Sequence, residues 1–413
     1  MLVRYFIFFT LIVLIEIYFL QGVKTFSRDF SQRGRNILMY TAYVLFGINL
    51  LMGIIGIFYP PPEWNGFFRF LSSMFLVLVV CKFFGISFLL IDDIIRLFRW
   101  IFKAAFGIGT SADLSGKGVS RIKFLSQVAI TFTVIPAISF VYGMVRGAYK
   151  YRVHKVKVGA PNLPDAFNGF KIVQISDMHT GSFLSDAPVK KAFDIIMKQK
   201  ADVIFFTGDL VNNVATETDA YLEDYKTLKA PYGVYSVLGN HDYGDYVSWS
   251  SPEEKKANLE ALKKVHADSG WRLLMNEHVA LEKNGQKIAV LGIENWGARG
   301  FKKYGIMKNA HQGTEQYPFK ILLSHDPSHW DEEVRKKYSD VDLTLSGHTH
   351  GMQFGIEIPG FKWSPVQYLY KQWAGLYKQD DQYLYVNRGL GFLGYPGRLG
   401  IWPEITVIEL YKA

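Results

Sequence analysis

Five short polar segments carry residues that could bind metal ions, and each segment follows an apolar run of the β-strand type. The segments are Asp177-Met178-His179, Gly208-Asp209, Gly239-Asn240-His241-Asp242, His325-Asp326 and Gly347-His348-Thr349-His350. They contain five of the ten histidines of the chain. In open α/β sheets, ligands bind beyond the carboxyl ends of the strands. We therefore expect these side chains to meet at one edge of a sheet.

The ligand types in these segments limit which metal ions could bind there. Carboxylate, imidazole and amide groups without a thiolate suit Mn²⁺, Fe or Zn²⁺ better than they suit a structural zinc site. The number of groups exceeds the needs of one ion, whereas two ions that share a carboxylate could use them all. Each segment alone would also fit a surface turn or a structural histidine. Their occurrence together, each after an apolar strand, predicts a site for two metal ions.

An α/β domain over residues 151–413 is predicted to position these segments, because short apolar runs alternate there with charged, helix-like segments. Helices are predicted at residues 187–199 and 253–268, and Pro252 near the start of the second favours a helix N-terminus. The predicted strands cover residues 151–158, 171–176, 202–207, 233–238, 288–293, 320–324, 342–346, 383–387 and 405–410.

The five segments together resemble the motif set of the calcineurin-like metallophosphoesterases, and the resemblance covers residues 168–411. The stretches "YVNRGLG" (385–391) and "PEITVIEL" (403–410) are similar to the YkuE-type subgroup of bacterial enzymes. Some members of that subgroup are UDP-2,3-diacylglucosamine pyrophosphatases or carry four N-terminal spans. The implied fold is a two-sheet β-sandwich flanked by helices. One departure is Met352, where subgroup members commonly have glycine, and it is expected to affect the substrate wall.

The resemblance also implies a role for each site residue. His241 would contact the phosphate and protonate the leaving oxygen, and Asp242 would orient it. Apart from the resemblance, Arg388 and Arg398 could assist phosphate binding, although a surface or fold-stabilising role is the default expectation for both. The implied cofactors are two divalent metal ions, Mn²⁺ first and Zn²⁺ or Fe as alternatives. The first ion would be held by Asp177, His179, Asp209 and His350, and the second by Asp209, Asn240, His325 and His348.

Residues 1–150 are predicted to form a transmembrane domain. Four apolar runs there are long enough to span a bilayer, which takes about 20 residues. A cleaved signal peptide would account for the first run alone, but no small-residue cleavage site follows it. The single cysteine, Cys81, excludes an intramolecular disulfide. The predicted spans cover residues 2–20, 36–59, 66–91 and 124–145.

Residues 92–107 combine an apolar surface with one polar stripe of a helix. Asp92, Arg96, Arg99 and Lys103 recur at spacings of four, three and four residues, which places them on one face. The pattern predicts an amphipathic helix in the membrane interface. A cytoplasmic extension of the third span is the alternative.

The basic residues of the short loops indicate the orientation in the membrane. The first and third loops between spans are rich in Lys and Arg and are therefore predicted to be cytoplasmic. With four spans, the catalytic domain is then extracytoplasmic, although five basic residues just after the fourth span (between residues 146 and 157) favour the opposite orientation. The resemblance implies the inner or plasma membrane of a bacterium. The net charge of +9 suits an anionic membrane surface, and no nucleic-acid partner is expected.

These observations lead to one main functional hypothesis and two alternatives. The main one is a membrane-anchored dinuclear phosphohydrolase that acts on a phosphorylated or pyrophosphate-linked lipid. Aromatic and basic residues at 243–249 and 359–378 could grip its head group, or could simply pack. The first alternative is a soluble nucleotide or phosphodiester substrate, with the spans as a tether. The second is a non-catalytic receptor or scaffold, against which the intact ligand set argues.

Overall fold

Four long apolar helices form the first part of the computed structural model, which describes residues 2–58, 66–106 and 121–413. Each helix is long and apolar enough to cross a membrane, which confirms the four predicted spans. The predicted second loop, around residues 59–65, and part of the third loop, residues 107–120, lie outside the described residues. The helices are α1 (Leu2–Phe26), α2 (Gln32–Phe58), α3 (Gly66–Phe106) and α4 (Arg121–Val145).

Helix α3 is one continuous element of 41 residues and includes residues 92–106 of the predicted amphipathic segment. The polar stripe that begins at Asp92 therefore lies on a continuous extension of the third predicted span. No proline or glycine interrupts residues 86–106, so the backbone hydrogen bonding continues past the end of the apolar run. At 1.5 Å per residue α3 is about 60 Å long, roughly twice the hydrocarbon thickness of a bilayer.

A buried ion pair joins three of the membrane helices. Lys82 Nζ of α3 lies 2.7 Å from both carboxylate oxygens of Glu16 on α1. Asn49 Nδ2 of α2 donates to Glu16 Oε1 at 2.6 Å. Charged side chains inside an apolar bundle are tolerated only when they are paired. The three residues therefore fix the relative positions of α1, α2 and α3.

The chain divides into two compact units, Met1–Tyr142 and Gly143–Ala413, whereas the sequence analysis placed the boundary after residue 150. The last turn of α4 thus belongs to the catalytic unit. Met144 and Ala148 are fully buried, and Gly143 O accepts a hydrogen bond of 3.1 Å from Arg398 N. A Cβ atom at Gly147 would overlap Arg398 O, so glycine permits this close approach. Residues from Gly143 onward are therefore packed as part of the catalytic unit.

Two six-stranded sheets form the frame of the catalytic unit. The first has the order β1-β14-β2-β3-β4-β5, and the second has the order β12-β13-β9-β8-β7-β6. A separate hairpin consists of β10 and β11. The strands are β1 (Arg152–Ala160), β2 (Lys171–Ile175), β3 (Val203–Phe206), β4 (Val234–Ser236), β5 (Trp271–Leu273), β6 (Glu277–Lys283), β7 (Gln286–Gly292), β8 (Lys320–Leu323), β9 (Leu343–Ser346), β10 (Ile356–Ile358), β11 (Phe361–Trp363), β12 (Gly375–Gln379), β13 (Gln382–Val386) and β14 (Glu404–Lys412).

The two sheets pack face to face, and helices cover their outer faces. Alternate residues of a strand point to opposite faces: Phe205 of β3 packs with Leu323 of β8 between the sheets, whereas its neighbour Phe206 packs toward the helices with Leu262. Trp330 lies in the cluster on the outer face of the second sheet. This arrangement confirms the predicted two-sheet sandwich. The helices of this unit are α5 (Ala187–Met197), α6 (Leu222–Tyr225), α7 (Pro252–Asp268), α8 (Met307–His311) and α9 (Arg335–Lys337).

All nine predicted strands and both predicted helices occur in the structure within a few residues of their expected bounds. Strands β5, β6, β10, β11 and β12 were not predicted from the sequence. Three of them have only three residues, and the longer two, β6 and β12, are edge strands with exposed polar residues. Neither class shows the apolar run that identifies a buried strand.

Candidate metal centre

The predicted ligands follow the carboxyl ends of five strands, β2, β3 and β4 of the first sheet and β8 and β9 of the second. Strands β2, β3 and β4 are parallel neighbours, and so are β8 and β9, so each set ends at one edge of its sheet. Gln174 of β2 joins the two edges: its Nε2 donates to Thr207 Oγ1 at 3.1 Å and to Ser346 O at 2.8 Å. The five strand ends therefore meet at a single location.

The structure brings the predicted ligands together in two groups. In the first group, His350 Nε2 lies 3.2 Å from Asp177 Oδ1 and 3.1 Å from His179 Nε2. The second group contains Asp209, His325 and His348, and the ligand atoms of each group lie within 4.8 Å of one another. The two histidines of the Gly-His-Thr-His turn thus belong to different groups.

His348 presents its Nδ1 atom to the second group. This atom lies 3.3 Å from His325 Nε2 and 2.8 Å from Asn240 Oδ1. Its other ring nitrogen, Nε2, lies 2.9 Å from Tyr370 Oη. Asn240, which was also predicted as a ligand, therefore adjoins the second group.

The Asp209 carboxylate lies between the two groups. Its Oδ2 atom is 3.1 Å from His325 Nε2 and 3.6 Å from His179 Nε2. Its Oδ1 atom accepts a hydrogen bond of 2.8 Å from His241 N, which fixes the plane of the carboxylate. One carboxylate thus reaches both ligand groups, as a shared ligand of two ions must.

The electrostatics of the site fit a pair of cations. Asp177 and Asp209 are buried, and among the described residues neither forms an ion pair with lysine or arginine. A buried carboxylate without a cationic partner is strongly unfavourable. Burial lowers the pKa of His179 to about 3, so its imidazole is neutral, which is the form that binds metal. The nitrogen and oxygen donors suit the divalent ions predicted from the sequence.

The pKa of His325 shows that the second group favours positive charge. Burial alone would lower the pKa of this imidazole, but the adjacent Asp209 carboxylate raises it above the ordinary value. The same pairing holds the pKa of Asp209 well below its ordinary range, against the effect of burial. The site therefore stabilises positive charge, which a metal ion would supply in place of the proton.

Five ligands adopt a backbone conformation that is uncommon for residues with a side chain. Asp177, His179, Asp209, His348 and His350 have φ between 48° and 71°. The left-handed region costs about 1 kcal/mol or more for such residues and persists only where surrounding contacts enforce it. A concentration of this strain at the strand ends is typical of a functional site. It turns successive side chains of each short segment toward one point.

Asp242 supports the site, but the prediction that it orients His241 is wrong. Its carboxylate is fully buried and accepts hydrogen bonds from the N–H groups of Gly239 (2.8 Å), Asp209 (2.9 Å) and Leu210 (2.8 Å). These bonds join the loops after β3 and β4 and occupy the carboxylate. The His241 imidazole is oriented instead by a backbone carbonyl group, since its Nδ1 lies 2.7 Å from Asn212 O.

Arg388 and Arg398 are both buried and have protein partners, which corresponds to the fold-stabilising role considered above. Arg388 forms ion pairs with Glu404 and Glu357. Arg398 Nε donates to Gly391 O at 2.9 Å, and its Nη2 lies 3.1 Å from His350 Nδ1. Arg398 thus braces a predicted metal ligand from behind. Substrate binding by either arginine has no support in this placement.

The "YVNRGLG" stretch braces the first ligand group through its backbone. Leu390 N donates to Ser176 O at 2.9 Å, and Gly391 N donates to Asp177 O at 2.8 Å. Gly389 has φ of 78°, and a Cβ atom there would lie 2.8 Å from Asp177 Cβ. The glycines of this stretch therefore let it pack directly against the loop that carries Asp177.

Several residues at the site were not assigned by the sequence analysis. Tyr246 Oη accepts a hydrogen bond of 2.8 Å from Asn240 Nδ2, and its ring centre lies 4.5 Å from that of His241. Arg299 is exposed, and its guanidinium lies 5.1 Å from the ring centre of Tyr370. The aromatic stretches at residues 243–249 and 359–378 include Tyr246 and Tyr370, so a signal for both was present in the sequence. No local pattern distinguishes Arg299 from other surface arginines.

Comparison with known proteins identifies the class to which this site and these four apolar helices belong, the metallophosphoesterases with a transmembrane domain. A family model described as "Calcineurin-like phosphoesterase" matches residues 170–352. Another, described as "Probable Calcineurin-like phosphoesterase, transmembrane domain", matches residues 3–148. The chain is 31% identical over 252 residues to "Uncharacterized metallophosphoesterase YkuE" of Bacillus subtilis, which covers 60% of this chain and 81% of that protein. The chain belongs to the calcineurin-like metallophosphoesterase family.

Two further relatives share parts of this architecture. A "Transmembrane protein with metallophosphoesterase domain" of Danio rerio is 29% identical over 289 residues, which cover 68% of this chain and 62% of that protein. The chain therefore spans less than two thirds of that relative. "UDP-2,3-diacylglucosamine pyrophosphatase LpxG" of Chlamydia trachomatis is 28% identical over 281 residues, which cover 56% of this chain and 81% of that protein.

Replacement of the shared carboxylate should remove metal from both groups. We expect the full-length Asp209→Asn protein to lose at least about a hundredfold in affinity for Mn²⁺, because the amide lacks the negative charge that both groups use. Metal content after dialysis, measured by mass spectrometry, checks this. Asp380→Asn, at an exposed turn, is the matched control and should retain the metal. An Asp209→Asn protein with the metal content of the control would contradict the assignment.

Proposed function

We propose that this chain is a membrane-anchored, dinuclear metal-dependent phosphohydrolase that cleaves a phosphoester or pyrophosphate bond of a lipid-linked substrate. The observation that carries the proposal is the pair of buried ligand groups that share Asp209. The lipid-linked substrate is supported by the four spans and by the similarity to LpxG, whose name states a pyrophosphatase acting on a diacylated sugar nucleotide.

The cofactors in this proposal are two divalent ions, with Mn²⁺ as the first candidate because all donors are nitrogen or oxygen. Asp177, His179 and His350 would hold one ion, and Asn240, His325 and His348 the other, with Asp209 shared. When bound, such a pair supplies Lewis acidity that makes water nucleophilic at neutral pH and offsets charge on the phosphate. The chain contributes rigid placement, because the strand ends and the Asp242 carboxylate fix the ligand loops.

His241 is proposed as the general acid toward the leaving oxygen. Asn212 O can only accept a hydrogen bond, so His241 Nδ1 must carry a proton to satisfy the 2.7 Å contact. The remaining nitrogen, Nε2, is then the one that can donate when the ring is protonated. The bond from His241 N to Asp209 Oδ1 fixes the imidazole relative to the shared carboxylate. The same backbone bond therefore positions both the shared ligand Asp209 and the proposed proton donor His241.

The His241→Ala variant should distinguish proton donation from metal binding. With an alkyl leaving group, which needs a proton, we expect turnover to fall by about 10² to 10⁴. With p-nitrophenolate, which leaves as an anion, we expect a loss of less than about tenfold, and bound Mn²⁺ should be unchanged. The check is a comparison of kcat for alkyl and p-nitrophenyl phosphodiesters with full-length protein in detergent.

The matched control is His311→Ala, since His311 pairs with Asp340 on the surface and lies outside both ligand groups. Equal losses for both leaving groups would contradict the role of His241 as general acid.

A second experiment compares turnover of a lipid-linked pyrophosphate presented in nanodiscs with turnover of a soluble diester. Equal turnover of the two would favour the alternative in which the spans are only a tether.

We also propose that the catalytic unit is extracytoplasmic, in the inner or plasma membrane of a bacterium. The support is the excess of Lys and Arg in the first and third loops between spans. Protease added to intact spheroplasts should then digest the unit from Gly143 onward while leaving cytoplasmic markers whole. Protection of this unit until the membrane is ruptured would reverse the orientation.

A further inference from the structure

The hairpin formed by β10 and β11 carries apolar side chains on its outer face. Ile356 pairs with Trp363, and Ile358 pairs with Phe361. Residues that lie opposite each other in an antiparallel pair share a face, and so do alternate residues of one strand. These four side chains therefore form one surface. Ile356, Ile358 and Phe361 are 49%, 58% and 52% exposed.

The other face of the hairpin is polar and is held against the protein. Glu357 lies opposite Lys362 in the register. Glu357 Oε1 accepts from Arg388 Nη2 at 2.5 Å, and Lys362 Nζ donates to Ala374 O and lies 4.8 Å from the ring centre of Trp373. A hairpin that is solvated on one face normally buries its apolar side chains and exposes its polar ones. In this hairpin the apolar face is exposed, whereas Glu357 is partly buried and Lys362, although exposed, contacts the protein.

The apolar surface continues beyond the hairpin. Tyr368 and Leu369 are 74% and 45% exposed, and Tyr368 Oη lies 3.5 Å from Trp363 Nε1. Within residues 151–413, all of which are described, six of the eleven exposed large apolar side chains lie between residues 352 and 369. A concentrated patch of this kind marks an interaction surface. We call it the docking face, and it consists of Ile356, Ile358, Phe361, Trp363, Tyr368 and Leu369.

Two contacts join the docking-face segment to the metal centre. Within the segment, Ser364 Oγ donates to Gly351 O at 2.8 Å, and Gly351 directly follows His350. Just after the segment, Tyr370 Oη lies 2.9 Å from His348 Nε2. Whatever covers the docking face is therefore brought next to both ligand groups.

We propose that the docking face inserts into the interfacial layer of the membrane in which the chain is anchored and so presents the metal centre to that layer. Four helices of the same chain are long and apolar enough to cross a membrane, and residues 143–413 follow them directly in the sequence. Trp and Tyr prefer the boundary between hydrocarbon and head groups. The guanidinium of Arg299 lies near the Tyr370 ring, and Lys371 follows Tyr370 in the sequence. Both are exposed, and neither forms an ion pair with a carboxylate of the described residues, which suits anionic lipid. The inference rests on membrane anchorage and not on the proposed substrate.

An environment-sensitive label on the docking face tests this directly. Full-length protein with Cys81→Ala and Ile358→Cys, labelled with nitrobenzoxadiazole, is reconstituted in nanodiscs of phosphatidylcholine and phosphatidylglycerol. The matched control places the label at Gln379→Cys, an exposed strand residue of the β12–β13 hairpin. We expect the label at position 358 to be blue-shifted and quenched by doxyl groups on the acyl chains, and the label at 379 to be neither.

Two results would overturn the proposal. The first is an aqueous emission spectrum at position 358 in nanodiscs. The second is a blue shift without quenching by doxyl lipid, which would indicate that protein, such as a second copy of the chain, covers the face. Neither readout requires turnover, so failure here is separate from failure of the proposed enzyme activity.

A double variant links the docking face to access of lipid. Ile358→Ser with Phe361→Ser should lower kcat/KM for a phosphoester lipid in nanodiscs by about tenfold or more, because two exposed apolar side chains that would insert into the membrane interface are lost. Turnover of a soluble p-nitrophenyl diester should stay unchanged. Equal losses on both substrates would show that the face serves the fold instead and would contradict the inference.

Discussion

The buried Asp209 carboxylate is the constraint on which the catalytic unit depends. It lies between His179 and His325, has no lysine or arginine partner among the described residues, and is 2% exposed. Such a charge is compatible with a stable fold only if cations and hydrogen-bond donors compensate it. The backbone N–H of His241 supplies one donor. The remaining compensation must come from positive charge within the two ligand groups, and this requirement shapes the strand ends around it.

The sandwich places five strand ends around that carboxylate, and a second layer of contacts keeps them there. Asp242 binds the loops after β3 and β4 through backbone N–H groups, Arg398 lies behind His350, and the stretch after β13 holds Asp177. The left-handed conformation of five ligands is maintained by these contacts. Within the unit Gly143–Ala413, Arg398 N donates to Gly143 O, and Arg398 Nη2 lies beside His350 Nδ1, so this arginine joins the first residue of the unit to the first ligand group.

Features that follow from local patterns of apolar and polar residues could be predicted from the sequence. Apolar runs identified nine strands and four spans, and the polar segments after the strands identified all seven residues that the structure groups at the site. Other features depend on contacts between distant residues. The role of Asp242 depends on N–H groups from another loop, and the partners of Arg388 lie at Glu357 and Glu404. The outward apolar face of the β10–β11 hairpin could not be predicted, because strands of three residues are too short to show an alternation of apolar and polar residues.

The most direct test of two ions sharing one carboxylate is electron paramagnetic resonance of the full-length protein during titration with Mn²⁺. Two ions held by ligand groups that share Asp209 must be close enough for their spins to couple. As the second equivalent binds, the six-line signal of isolated Mn²⁺ should give way to the broad multi-line signal of a coupled pair. A six-line signal that grows in proportion to bound Mn²⁺ through two equivalents, or saturation at one, would contradict the dinuclear site.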